Sequence, residues 1–336
     1  MSTFAIELSG HDVSFPCGAD QSVLDAALAA GYELPYSCRT GICGSCRARV
    51  AQGQVEGGAG EGVLGEQDRA NGQVLLCQAR ARSDLTLEVN EVSKRDPNAL
   101  KQITAKVFRK VLAAPDVTIL SLRYPAGIKP RFKSGQYLAI QTDDGQPRYF
   151  SMANPAHQAD GAELHIRHIP GGRFTGFVAE GLAPGDQLEV SLPFGDFYLR
   201  ESDAPVILLA SGTGFAPIRS MVESAIKQKS TRPMTLYWGG RRPVDLYLSA
   251  LARKWADKYP WFTFVPVLSD ALPEDGWSGR TGYVHTAVLR DHADLGGVDV
   301  YACGSPLMVQ AARQDFIEQK GLDPSRFYCD VFVANV

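Results

Sequence analysis

Three textures follow one another along the chain. In the first, apolar and polar residues partly alternate in Phe4-Ala5-Ile6-Glu7-Leu8 and again in Asp12-Val13-Ser14-Phe15, with a Gly10-containing turn between them. This predicts two strands. In Gln21–Gly31 the apolar residues Val23, Ala27, Ala30 and Leu24, Leu28 recur at three- and four-residue steps, which predicts a helix ended by Gly31. A strand is expected at Leu85–Val89, and the polar run Ser93-Lys94-Arg95-Asp96-Pro97-Asn98 reads as a linker. From Ile103 to about Leu199 the text is short strands with frequent Pro and Gly, among them Thr118–Leu122, Tyr137–Ile140 and Glu163–Ile166. That pattern predicts a barrel or sandwich. From Ala204 the runs become wholly apolar, first at Val206-Ile207-Leu208-Leu209-Ala210 and then at Met234–Trp238, Phe262–Leu268 and Val298–Ala302, with helical segments between them. Continuous apolar runs mark parallel strands buried on both faces, so this part is expected to be doubly wound α/β.

A chain of 336 residues holds about two domains, or three small ones. Its 45% hydrophobic and 21% charged residues are those of a globular protein, and a net charge of −3 gives no reason to expect a nucleic-acid partner. No apolar run reaches the length of a membrane-spanning helix, and the N-terminus has no basic region followed by an apolar stretch. A cytoplasmic protein is expected, and there structural disulfides are rare. The seven cysteines then need another explanation. Cys17, Cys38, Cys43, Cys46 and Cys77 lie near the N-terminus, while Cys303 and Cys329 lie near the C-terminus. The spacing Cys38-x4-Cys43-x2-Cys46, with Cys77 further on, is that of plant-type [2Fe–2S] ligation. Iron bridged by sulfide prefers soft thiolate donors, and Gly41 and Gly44 allow a tight loop whose amides face cluster sulfurs. A zinc site would show paired Cys-x2-4-Cys units, and only one is present here. Cys17 falls outside the pattern and is read as a buried small residue.

Further motifs sit on glycine turns. Arg148-Tyr149-Phe150-Ser151 follows an apparent strand and the turn Asp143-Asp144-Gly145. Arg167-His168-Ile169-Pro170-Gly171-Gly172-Arg173-Phe174-Thr175 is either an ordinary loop or a Gly-Gly turn and helix start able to hold a pyrophosphate. Ser211-Gly212-Thr213-Gly214-Phe215, Tyr237-Trp238-Gly239-Gly240-Arg241 and Tyr301-Ala302-Cys303-Gly304-Ser305-Pro306 would all open at the carboxyl edge of one parallel sheet, where ligands bind.

Pro35–Cys46 and Leu75–Ala79 resemble a plant-type ferredoxin domain. The two middle segments together resemble the flavin barrel of the ferredoxin–NADP reductase superfamily, and the three glycine turns resemble its nicotinamide domain. In this order they resemble the reductase components of multicomponent bacterial oxygenases, most of all those of benzoate and terephthalate dioxygenases. The resemblance implies an α+β (β-grasp) ferredoxin over 1–92, a linker over 93–101, an antiparallel β-barrel for FAD over 102–200 and a doubly wound α/β NAD domain over 201–336. It implies cluster ligation by Cys38, Cys43, Cys46 and Cys77. Arg148 would meet the FAD pyrophosphate, with Phe150 in the place of the family's Tyr, Tyr149 in the variable place and Ser151 near flavin N5. His165, Ile166 and Arg167 would line the flavin strand, and Gly171, Gly172 and Thr175 would hold phosphate. Gly212, Thr213 and Gly214 would take the nucleotide diphosphate, Cys303 and Gly304 the nicotinamide, and Phe332 would lie over the flavin. Arg241, Asp245 and Tyr247 would face the adenosine. The Arg241-Arg242 pair fits a 2′-phosphate, yet the overall pattern favours NADH over NADPH. The implied activity is that of an NADH:acceptor oxidoreductase passing electrons through FAD and the cluster to a terminal oxygenase, with a Rieske-type partner foremost. Arg39, Arg47 and Arg49 near the cluster loop would meet an acidic patch on that partner. The same module serving a cytochrome P450 or a deoxysugar dehydratase, a cluster and flavin redox sensor, and a zinc-binding non-redox protein are the alternatives. The oxygenase substrate and the oligomeric state, a monomer among the options, are not readable from the chain.

Overall fold

The computed structural model describes residues 2–60, 62–96 and 98–333, and the chain divides into two compact units, Met1–Ala99 and Leu100–Val336. In the first, the alternating segments form β1 (Thr3–Leu8) and β2 (Ser14–Gly18), an antiparallel pair. Helix α1 (Val23–Ala29) is shorter than its apolar pattern because Ser22 caps it, its Oγ accepting the Asp25 amide at 3.1 Å. The helix buries Val23, Leu24, Ala26 and Ala27. There follow β3 (Tyr32–Glu33), β4 (Arg47–Gln52), β5 (Val55–Gly57), α2 (Glu66–Ala70), β6 (Gln73–Leu75), β7 (Ala79–Ala81), β8 (Leu85–Glu88) and β9 (Ser93–Lys94). The main sheet runs β2-β1-β8-β4-β6, with β8 parallel to β1 and the other pairings antiparallel. This is a ferredoxin-like α+β arrangement, with Ile6, Leu8 and Leu87 at its centre. The polar run expected as a linker begins as structure: β9 pairs with β3, and the Arg95 amide donates to the Gly31 carbonyl at 2.8 Å. Composition alone hid this, because an edge strand of two exposed residues has no apolar face to reveal it.

The second unit opens with β10 (Lys101–Ala114), β11 (Val117–Arg123), β12 (Tyr137–Ile140), β13 (Arg148–Ser151) and β14 (Gly161–Arg167). A short helix α3 (Arg173–Gly176) runs into one π-helical turn at Phe177–Gly181 before β15 (Gln187–Phe194). The order β13-β12-β15-β10-β11-β14 is antiparallel throughout, and a bridge between Met152 and Leu164 brings its two edge strands together into a near-closed barrel. Ile103, Ala105 and Val107 alternate inward along β10, and Leu164 and Ile166 do so along β14.

The remainder alternates strands and helices: β16 (Val206–Ser211), α4 (Phe215–Lys227), β17 (Met234–Gly240), α5 (Ser249–Lys258), β18 (Phe262–Leu268), β19 (Arg280–Thr281), α6 (Val284–Asp291), β20 (Asp299–Gly304), α7 (Pro306–Lys320) and β21 (Phe327–Val331). All pairings are parallel, in the order β19-β18-β17-β16-β20-β21. The chain winds outward from β16 to one side and then crosses to β20 on the other. The crevice beyond the carboxyl ends of β16 and β20 is therefore the switch point where such sheets bind ligands. Among the described residues no helix is long and apolar enough to cross a membrane.

Candidate functional site

The first site is the cysteine loop between β3 and β4. Arg39, Gly41 and Gly44 all have positive φ, so the backbone coils tightly there. A Cβ at Gly41 would lie 2.9 Å from Gln78, and one at Gly44 would lie 2.9 Å from Val63. The coil turns amides onto sulfur: Thr40 and Cys43 donate to Cys38 Sγ, each at 3.4 Å, and Ser45 donates to Cys43 Sγ at 3.5 Å. Gln78, next to Cys77, ties that distant cysteine to the loop through its Nε2 donating to the Arg39 carbonyl at 3.1 Å. The four thiols associate two and two. Hydrogen bonding to Cys43 and then burial push the Cys38 thiol up. Cys46 is pushed up by its hydrogen bond to Cys77 and by burial, while the same contact pulls Cys77 down. Two irons bridged by sulfide need two thiolates each, and the two pairs fit that demand.

Each arginine near the loop has an internal carboxylate: Arg39 with Asp25, Arg47 with Asp68 at 3.2 Å, and Arg49 with Glu88. The expected basic rim is thereby locally balanced. Cys17, by contrast, is a buried residue of β2, and its thiol faces the carbonyls of Gly18 and Gln21.

On the barrel, Arg148 and Phe150 share one face of β13. Phe150 packs on Phe174 of α3 at 5.6 Å and on the barrel core. Arg148 pairs with Asp144 at 3.0 Å, and Arg173 reaches the same carboxylate at 3.9 Å. Two guanidinium groups beside the Gly171-Gly172 turn are a fitting place for a diphosphate. Thr175 clamps that turn, its Oγ1 accepting the Ile169 amide at 3.1 Å. Tyr149 lies on the opposite face, 44% exposed, with its ring edge-on to Tyr137 and Phe194.

At the switch point the backbones of two glycine turns touch. A Cβ on Gly214 would meet the Cys303 carbonyl at 2.2 Å, and one on Gly304 would meet Ser211 Oγ at 2.2 Å. Only glycine permits this approach, and it leaves a cradle of bare amides at the start of α4. Trp238 fixes the turn from below: its Nε1 donates to the Gly212 carbonyl at 3.0 Å, and its ring stacks on Phe215 at 4.0 Å. Cys303 is fully buried, and burial reinforced by the charge of Asp330 pushes its thiol far up, so it is no nucleophile. Asp330 stands opposite Cys303 in the β20–β21 register. Ser151, from the barrel, donates its hydroxyl to Asp330 Oδ2 at 3.1 Å, and all three residues are buried. Asp330 was not foreseen from the sequence. Its signal is an acidic residue inside the last apolar strand. Phe332 is half-buried against the core of the nucleotide domain, and its amide donates to the Gly304 carbonyl at 2.9 Å. Asp245 is turned into its own loop, where Oδ2 accepts the amides of Arg241 and Arg242 at 2.7 and 3.0 Å.

Strand β14 carries a second network on its outer face. His165 Nδ1 lies 2.8 Å from the Tyr247 hydroxyl, and Nε2 lies 3.3 Å from Glu163, which also pairs with Arg219 of α4. His165 therefore turns its ring to the nucleotide domain, because Leu164 and Ile166 occupy the alternate positions that face the barrel core. Tyr247 is held by His165 through its hydroxyl and meets the Trp238 ring edge-on. Burial would raise the Glu163 carboxyl, but His165 and Arg219 outweigh it and hold it at about 2. Burial lowers His165, against the opposing pull of Glu163. A depressed histidine stays neutral in the folded chain while the unfolded chain protonates below about pH 6.5, so its contribution is present above that pH and is lost as pH falls. His285 and His292 are depressed by burial in the same sense. His165→Gln is expected to flatten, without abolishing, the fall in melting temperature between about pH 7 and pH 5. Thermal melts at both pH values check this, and an unchanged slope would exclude His165.

A thiol-lined cluster loop, a flavin-type barrel and a nucleotide-binding parallel sheet on one chain define a multi-cofactor oxidoreductase. Comparison with known families agrees: residues 6–82 match the 2Fe-2S iron-sulfur cluster binding domain, 104–198 the oxidoreductase FAD-binding domain and 208–314 the oxidoreductase NAD-binding domain. The chain is 44% identical over 336 residues to reductase component 1 of terephthalate 1,2-dioxygenase from Comamonas, covering 98% of this chain and 97% of that protein. It is 38% identical over 330 residues to the CDP-6-deoxy-L-threo-D-glycero-4-hexulose-3-dehydrase reductase of Yersinia pseudotuberculosis, covering 98% of each. The crystal structure of a cytochrome P450 reductase from Amycolatopsis superposes with a TM-score of 0.77 at 33% identity, covering 98% of this chain and 99% of that one. The chain belongs to the family of ferredoxin-fused FAD- and NAD-binding reductases that includes the reductase components of bacterial oxygenases.

Proposed function

We propose that the chain is the NADH-oxidising reductase of a cytoplasmic aromatic-ring-hydroxylating oxygenase, delivering electrons to a Rieske-type terminal component. The observation that carries this reading is the end-to-end likeness to a terephthalate dioxygenase reductase component. In this reading Cys38 and Cys43 hold one iron, and Cys46 and Cys77 hold the other. Arg148, Gly171, Gly172 and Thr175 take the FAD pyrophosphate. Phe150 packs on the flavin, and Ile166 and Arg167 belong to the strand that lines it. Gly212, Thr213 and Gly214 hold the diphosphate of NADH, and Cys303 and Gly304 seat its nicotinamide, with Phe332 beside them. When bound, FAD takes a hydride's two electrons and releases them singly to the cluster.

The protein's own share is positional and electrostatic. Hydride loss leaves a positive nicotinamide ring. Asp330, buried and oriented by Ser151, would as a carboxylate place a negative charge beside the turn that seats it. Ser151, Cys303 and Asp330, at 5%, 0% and 4% exposure, keep water from that point.

The test is an anaerobic visible spectrum before and after NADH, followed by stopped-flow reduction of three purified acceptors: a terephthalate-type Rieske oxygenase, a cytochrome P450 and a deoxysugar dehydratase. Flavin and iron–sulfur bands that both bleach, with fastest transfer to the Rieske oxygenase, are expected. Faster transfer to either other acceptor reassigns the partner. Absence of the iron–sulfur band, with no iron on analysis, overturns the ligand assignment.

A further inference from the structure

In the reading proposed above, the sheet order sets where the adenosine half of the nucleotide would lie. Strands in a sheet lie about 4.8 Å apart. With the nicotinamide end at β20 and the diphosphate cradle at β16, the other half extends over the carboxyl ends of β17 and β18. Two loops meet there, Arg241–Tyr247 after β17 and Ser269–Asp275 after β18. They are laced by the Ser269 amide donating to the Gly240 carbonyl at 2.9 Å and the Asp270 amide donating to the Arg241 carbonyl at 3.0 Å.

The sequence offers two adjacent arginines at this place, a composition suited to a 2′-phosphate. The structure changes that reading for one of them. Arg242 is held fork to fork by Asp275: Nε donates to Oδ2 and Nη2 to Oδ1, each at 2.8 Å. Asp275 is itself fixed by the Leu272 amide donating to Oδ2 at 2.8 Å, and its side chain is 12% exposed. Glu274 stands 3.8 Å from Arg242, and the charge of Asp270 also bears on it. Arg241 is the more open of the pair, its side chain 71% exposed against 33% for Arg242. A bidentate pair of this kind occupies the Nε–Nη2 edge of the guanidinium, an edge that a phosphate could otherwise use.

We propose that Asp275 is the residue that makes this cleft select NADH over NADPH, by occupying Arg242 and by setting a carboxylate where a 2′-phosphate would arrive. The proposal rests on the NADH reading above. A 2′-phosphate that used Arg242 would have to displace Asp275 or lie against Asp270, Glu274 and Asp275, and either route is unfavourable. A free 2′-hydroxyl meets no such barrier.

The experiment uses the holoprotein and two nicotinamide-free probes, ADP-ribose and 2′-phospho-ADP-ribose, measured by titration calorimetry, with NADH and NADPH turnover alongside. The wild type is expected to bind ADP-ribose more tightly. Asp275→Asn, which frees Arg242 and removes one charge, is expected to tighten 2′-phospho-ADP-ribose roughly 10- to 100-fold while shifting ADP-ribose less than about threefold. Asp275→Ser is the companion variant, since its hydroxyl can still accept the Leu272 amide; an unaltered visible spectrum certifies both. Adding Arg242→Ala to Asp275→Asn is expected to cancel the gain. A wild type that prefers NADH but whose Asp275 variants keep the same discrimination overturns the proposal alone. A wild type that prefers 2′-phospho-ADP-ribose and NADPH overturns the NADH reading and the proposal together.

Discussion

Cys43→Ser is expected to reduce cytochrome c reduction to background while NADH–ferricyanide activity stays within about twofold of wild type. Cys43 and Cys38 form one of the two thiol pairs, and loss of one member leaves that side a single sulfur ligand. Soft thiolate donors are what hold such clusters. Ferricyanide takes electrons from flavin directly, so only the acceptor that depends on the cluster is affected. Iron content and the visible spectrum accompany the assay. If both activities vanish in a folded variant that retains FAD, the order of electron carriers is wrong. If cytochrome c reduction persists with iron lost, the cluster is not the exit.

Asp330→Asn is expected to slow bleaching of the flavin absorbance by NADH roughly 100-fold, equivalent to about 2.7 kcal/mol at the transition state. The substitution keeps the shape of the side chain and an acceptor for Ser151, so it removes charge and little else. Ser151→Ala is expected to have a smaller effect in the same direction, because it releases the carboxylate without neutralising it. The split between parameters matters: the limiting rate is expected to fall while the apparent dissociation constant for NADH changes little. A loss confined to NADH affinity would make Asp330 part of ground-state binding, and an unchanged rate would remove it from the reaction.

The legible parts of this protein are those whose signal is local. The cysteine spacing and the glycines between the ligands lie within nine residues of one another, and the cradle turns 212–214 and 303–304 each sit at the end of an apolar run. The strands Phe262–Leu268 and Tyr137–Ile140 are likewise visible as uninterrupted or alternating text. What escaped depends on pairing across the fold. Ser151 and Asp330 lie 179 residues apart, and only the register of two parallel strands sets Asp330 beside Cys303. Two adjacent arginines look like a phosphate site until Asp275, from the loop after the next strand, is seen to hold one of them. His165 reads as a flavin-strand residue, but which way its ring points is decided by which of its neighbours enters the barrel.

Strand β14 belongs to two interiors at once. Leu164 and Ile166 close the barrel, while Glu163 and His165 grip Arg219 and Tyr247 of the nucleotide domain. A chain cut between Phe194 and Val206 would leave a lone barrel with a histidine and a carboxylate stripped of their partners. The compact units instead part at Ala99 and Leu100. The flavin barrel and the nucleotide sheet therefore make up one compact unit, and the ferredoxin makes up the other.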